Sequence, residues 1–256
     1  MKKFLCIFFL FFSSGAAAEE PLVTDRPDAA ESSLTVGKTR LQLETSFSFE
    51  HDAGGGTTTN AYNFPTLLRF GLIEWLEFRI ESPMGQFHKQ TGQAHSKGWN
   101  DLAFGLKAHL LDNAGWVPSM GFLLHLSTPT GTNNYSANSY DPTVKWLNDW
   151  ELPAGFSLGT NVGFDVPQDA GGRLARFLYA AAVGHDLPFI SESLRMFAEI
   201  QGASPVQSPE PDERTFDTGL TFLVTGDIQL DTFVQIGLTR ATTDVATGLG
   251  FSWRML

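Results

Sequence analysis

The residues with chemical potential in this chain are ionic, and they recur at every second position. Asp101, Lys107 and His109 are interleaved with Leu102, Phe104, Leu106, Ala108 and Leu110. Glu77, Arg79 and Glu81 alternate with Leu76, Phe78 and Ile80. Glu44, Arg69, Lys145, Asp149, Glu151, Arg176, Arg195, Glu199, Asp217 and Asp231 occupy comparable positions elsewhere. Charges of both signs on one face make ion pairs and hydrogen bonds across neighbouring strands, or rings that set charge selectivity in a pore. They do not form a nucleophile with its base. His125 and Ser127 share a face but lie roughly 7 Å apart on one strand, and no G-x-S-x-G stretch exists. His51, His88 and His95 lack metal-ligand spacing, and Gly54-Gly55-Gly56 is followed by Thr57 rather than the Lys-Ser/Thr pair of a phosphate loop. The sequence therefore predicts a protein that is not an enzyme, with no cofactor and no metal.

A period of two is the signature of strands with two different faces. It is clear in Leu41, Leu43, Thr45, Phe47 and Phe49, and in Phe156, Leu158, Thr160, Val162 and Phe164. It returns in Ile228, Leu230, Thr232, Val234 and Ile236, and in Val245, Thr247, Leu249, Phe251 and Trp253. With weaker cases the pattern predicts about twelve strands of the length that crosses a bilayer at a tilt, about 9–11 residues. They are placed near 39–50, 62–72, 75–84, 100–111, 117–128, 142–152, 155–165, 174–186, 193–203, 214–225, 227–239 and 244–254.

The connections alternate in length. Residues 51–61, 85–99, 129–141 and 204–213 read as long loops, and 73–74, 112–116, 153–154 and 225–227 as short turns. Long loops on one side and short turns on the other are the habit of an outer-membrane barrel. A sheet in lipid cannot leave edge N–H and C=O groups unpaired, so it must close. The fold expected is all-β: a closed antiparallel transmembrane β-barrel of about twelve strands in up-and-down order. Trp75, Trp116, Trp150 and Trp253 fall near the short-turn ends, as an aromatic interface girdle requires, and outer-membrane lipid is the expected partner. The apolar faces then turn outward, and the ionic residues line the lumen as its selectivity candidates.

The N-terminus sets the compartment. Lys2 and Lys3, the apolar run Phe4–Phe12 and the small residues Ala16, Ala17 and Ala18 read as a signal peptide over 1–18, cleaved on export to the outer membrane. The chain's one cysteine, Cys6, falls inside it, so the mature chain has no thiol chemistry. Of 17 basic residues, loss of Lys2 and Lys3 leaves 15 against 28 acidic ones, a net charge of −13 that excludes nucleic acid as a natural partner. Residues 19–38 are polar and aperiodic, a periplasmic extension or a tuck into the lumen. Asp25, Arg26 and Asp28, packed around Pro27, are its candidates for a plug that bonds to wall residues such as Arg69 or Glu77. Residues 39–256 form the barrel.

Several stretches carry a family likeness. Thr24-Asp25-Arg26-Pro27-Asp28 is followed by Gly37-Lys38-Thr39-Arg40-Leu41-Gln42-Leu43-Glu44, then by Pro65-Thr66-Leu67-Leu68-Arg69-Phe70-Gly71-Leu72. Trp99-Asn100-Asp101-Leu102 and Leu126-Ser127-Thr128-Pro129-Thr130-Gly131 come next in order. The chain resembles, over nearly its whole mature length, the outer-membrane family of transporters named for the phenol meta-degradation pathway. The resemblance implies an outer-membrane barrel that acts as a transporter or narrow channel for small solutes, aromatic ones among them. The chain ends Trp253-Arg254-Met255-Leu256, departing from the terminal Phe that such barrels often carry. Three rivals stay open at this stage. One is a structural barrel that binds partners through loops 51–61, 85–99 and 129–141. The others are a lipid-modifying barrel enzyme and a soluble secreted β-protein.

Overall fold

The computed structural model describes residues 21–132, 135–169, 172–206 and 211–255. The expected leader, 1–18, lies outside them. Twelve long strands follow one another: β1 (Leu41–Gly54), β2 (Thr57–Ile73), β3 (Leu76–Gln90), β4 (Leu102–Leu111), β5 (Ser119–Thr128), β6 (Asp141–Leu152), β7 (Phe156–Asp165), β8 (Arg176–Asp186), β9 (Leu194–Pro205), β10 (Glu213–Thr225), β11 (Ile228–Gly237) and β12 (Val245–Met255). Each pairs antiparallel with its chain neighbours. The sheet closes where β1 meets β12, in register from Leu41↔Met255 to His51↔Val245. Closure leaves no long edge for lipid to strip of hydrogen bonds. A short strand, Ser96–Gly98, extends the pairing of β3, and Gln168–Asp169 pairs with Gly172–Arg173 in an outer loop.

The barrel is polar inside and apolar outside. Along β1 the buried side chains are Gln42, Glu44, Ser46 and Ser48, while the intervening Phe47 is 43% exposed. Along β11, Gln229 and Asp231 are buried while Leu230 and Val234 are exposed. In water this arrangement would waste the apolar face; in lipid that face is solvated at no cost.

Two expected loops are strand instead. Residues 51–61 read as a long connection, but β1 and β2 run on to a two-residue turn at Gly55-Gly56, with φ of 60° and 83°. Two consecutive positive φ values are what a tight hairpin turn demands and what glycine supplies. The β-branched Thr57, Thr58 and Thr59 then continue the pairing. Part of 85–99 is likewise strand, because β3 reaches Gln90. The short turns at 74–75, 112–118, 153–155, 187–193 and 226–227 mark the opposite end.

Candidate functional site

Residues 21–38 lie inside the barrel. The segment enters at the short-turn end, where the Leu22 N–H donates to Gly226 O at 2.8 Å. It crosses the lumen and leaves toward β1 through Thr39 N–H to Gly71 O, also 2.8 Å. In between it meets the ionic wall of β1–β6.

Asp25 is the centre of that meeting. Its carboxylate accepts from Lys107 Nζ at 2.6 and 2.8 Å and lies 3.1 Å from Arg79 and 3.5 Å from Arg69. Its own N–H donates to Glu44 at 3.0 Å. Burial pushes the Asp25 carboxyl pKa up, but Arg69, Lys107 and Arg79 together hold it below the usual range. Glu31 joins Arg79 at 2.5 Å and Lys145 at 2.7 Å. It too is buried, yet the cations, Lys145 foremost, keep its pKa well below normal. Arg69 holds Glu77 through two parallel bonds of 2.9 and 3.0 Å and Glu44 through one of 3.0 Å. It also donates to the Val23 and Leu34 carbonyls of the segment at 3.1 and 3.0 Å. Arg69, Glu77, Arg79, Lys107 and Glu44 are all essentially fully buried. Unpaired, each such charge would cost several kcal/mol; paired, they specify one docked arrangement.

The remaining candidates separate by position. Asp149 accepts from Ser33 N–H at 2.6 Å, and Glu199 accepts from Ala29 and Ala30 N–H at 2.8 and 2.7 Å. Glu81 faces Arg79 at 3.5 Å and His125 at 3.1 Å. His109 reaches Ser33 O and Asp112. Arg26 approaches Asp231 at 3.4 Å, and Asp217 accepts from Gln201. Arg176 joins Asp165 at 2.5 Å and Glu213 at 3.3 Å near the outer rim. Arg195 joins Asp186 and the Ser157 hydroxyl near the inner one, and Glu151 lines the space beneath the segment. The Asp28 carboxyl is pushed up to about 7 by burial, aided by Asp25 and Asp149 and opposed by Arg195.

Asp101 departs from its expected place. It precedes β4, and its carboxylate accepts from Gly131 and Ala137 N–H, at 2.7 and 2.8 Å, so it staples an outer loop rather than lining the lumen. Trp75, Trp116 and Trp253 are exposed at the short-turn end, and Trp150 Nε1 donates to Trp116 O.

Sequence reasoning missed Glu31, Ser33 and two glycines. Glu31 stands three residues after Asp28, which stands three after Asp25; that spacing of acids opposite a basic wall was a usable signal. A glycine inside a good strand signals close backbone approach. A Cβ at Gly71 would lie 1.6 Å from Gly37 O, and one at Gly121 would lie 2.8 Å from Ser33 O. Gly71→Ala should therefore dislodge residues 33–38, at a cost of about 1–3 kcal/mol. Faster tryptic cleavage after Lys38 is the measurement, and an unchanged rate would count against the close approach.

Among the described residues no group of His, Cys, Asp or Glu is arranged to hold a metal. Between the segment and the wall lie four cavities. Two face the long-loop end, at about 270 Å³ beside β7–β10 and about 290 Å³ beside β2–β3. Two face the short-turn end, at about 330 and 300 Å³.

A closed twelve-stranded barrel with lipid-type apolar flanks, an ionic lumen and its own N-terminal segment inside defines an outer-membrane-type β-barrel. The family model described as "Putative MetA-pathway of phenol degradation" matches residues 24–255, and the chain belongs to that family. The match begins at the Thr24-Asp25-Arg26-Pro27-Asp28 stretch that docks in the lumen. An outer-membrane channel from Pseudomonas putida F1 superposes with a TM-score of 0.64 at 11% identity, covering 87% of this chain and 97% of that one. The translocator domain of the autotransporter NalP from Neisseria meningitidis gives 0.53 at 10% identity, covering 84% and 88%. The KdgM porin in complex with disordered oligogalacturonate gives 0.53 at 9%, covering 81% and 98%. At such identities the likeness is one of fold. No curated protein matches the chain.

Proposed function

We propose that this chain is a gated outer-membrane channel for small solutes, delivered to that membrane by a cleaved leader and held in it by lipid against its apolar faces and its tryptophan end. The observation that supports the reading is the divided lumen. Cavities of about 270–330 Å³ lie on both sides of a segment that belongs to the chain itself. A structural barrel has no need of space on both sides of a plug. A cavity of roughly 150 Å³ suffices for benzene, so single-ring solutes are within the size these spaces admit. The ionic lumen residues act as the selectivity elements, and Asp25 and its neighbours as the plug's anchor. The reading is of a protein without enzymatic activity.

The test is conductance of the purified, refolded mature protein in planar bilayers, with a panel of charged and aromatic solutes as blockers. Discrete steps that aromatic solutes interrupt are expected. A heat-modifiable, folded barrel that never conducts would favour the structural reading.

A further inference from the structure

The lumenal segment is not held evenly. Asp25 and Glu31 both bind Arg79, at 3.1 and 2.5 Å, so two points six residues apart stand on one side chain. Ser32 N–H donates back to Asp25 at 2.9 Å and closes the loop between them. Residues 26–30 are thus an arch with both feet on the β3 wall. Its crown leans across to the opposite wall. There it is held chiefly through its backbone, by the Ala29 and Ala30 N–H bonds to Glu199 on β9.

The wall beneath the crown is unlike the rest of the lumen. Strand β8 turns Leu178, Ala180 and Ala182 inward, and Ala30 packs on the two alanines. Leu178 and Ala180 line the outer cavity, and Ala182 lines the inner one. One smooth strand therefore runs past both spaces, interrupted only where the arch rests on it. The feet are expensive to release, because Arg79 and Lys107 would be left buried without their carboxylates. The crown rests on the single carboxylate of Glu199 through two backbone N–H bonds, with Asp28 set beside that carboxylate as a second acid.

We propose that residues 26–30 are the gate of the channel and Glu199 is its latch. Solute crosses along the inward face of β7–β9 while residues 31–36 stay clamped to the other wall. This rests on the channel reading above and adds where the path runs and which part of the segment moves.

Two engineered disulfides separate the possibilities, since Cys6 is the sequence's one cysteine and falls in the expected leader. A Cβ at position 159 on β7 lies 3.7 Å from that of Ala30, within the range a disulfide spans. The Ser33 and Ser119 hydroxyls lie 2.7 Å apart. Ala30→Cys with Gly159→Cys pins the crown; Ser33→Cys with Ser119→Cys pins the clamped part. Oxidation of the first pair should cut open-state conductance by about tenfold or more, and reductant should restore it. Oxidation of the second pair should leave conductance unchanged. Glu199→Gln, without cross-links, should raise the open fraction. If the pinned crown still conducts, the path lies elsewhere and the gate is refuted. If pinning Ser33 also closes the pore, the whole segment must leave and the arch is refuted. If folded protein, judged by heat-modifiable migration, fails to conduct even when reduced, the channel reading itself falls and carries this one with it.

Discussion

Asp25→Ala should free the lumenal segment and raise conductance while leaving the barrel closed. The carboxylate removed is the one on which Lys107 and Arg79 converge, and it also receives the Ser32 N–H that closes the arch. Without it Arg79 keeps Glu31, but Lys107 keeps only the Ser32 carbonyl and remains buried. Breaking a buried ion pair from one side costs about 3–5 kcal/mol, because the partner's charge stays desolvated. Here the cost falls on the docked segment, since undocking lets water reach Lys107. At about 1.4 kcal/mol per decade, the docked-to-undocked ratio drops by roughly two to three and a half decades. Single-channel recording should show a larger and more persistent open state than wild type, with tryptic cleavage after Lys38 accelerated. Wild-type conductance with wild-type cleavage would show that the segment is held without Asp25.

Much of this architecture is legible in the sequence alone, and the reason is physical. A lipid-facing strand has no freedom to break its alternation, so Leu41 to Phe49 announce their two faces in the residue types alone. The connections were less legible where strands outrun the membrane. Beyond the bilayer both faces meet water, polar residues such as His51 and Asp52 no longer mark a face, and the turn at Gly55-Gly56 hides inside what reads as a loop. The lumen was half legible. Parity assigned Glu44, Arg69, Glu77, Arg79 and Lys107 to one inward surface, but parity is silent about what fills that surface. The docking of Asp25 depends on three cations from β2, β3 and β4 converging, and the register that brings them together is set by pairing along the strands. Asp101 shows the same limit from the other side. It keeps the alternation of β4 but stands one residue before the strand, where no ladder holds it, and two loop N–H groups claim its carboxylate.

Arg69→Met should act differently from Asp25→Ala, and the difference identifies which contacts belong to the wall. Arg69 spans three strands: its own β2, Glu44 on β1 and Glu77 on β3. Its fork is bidentate on Glu77, a geometry lysine cannot reproduce. Methionine fills similar space but leaves two buried carboxylates facing each other. Glu77 then has Arg79 at 3.9 Å as its nearest cation, and Glu44 has the Gln42 amide. Undocking the segment would hydrate both, as it hydrates Lys107, but their like charges on the strands either side of β2 would stay in the wall. The expected loss is about 3–5 kcal/mol from the barrel itself, read as a lower temperature at which the compact gel band disappears. Arg69→Lys should recover part of it. Adding Glu44→Gln and Glu77→Gln to Arg69→Met should recover most, since the uncompensated charge is the source of the penalty rather than the lost packing. The segment would be held less tightly in that triple variant, because the Leu34 carbonyl loses its Arg69 donor and the Val23 carbonyl keeps only the Gln42 amide. A barrel as heat-resistant as wild type, with raised conductance, would mean that Arg69 clamps the segment and carries no load in the wall.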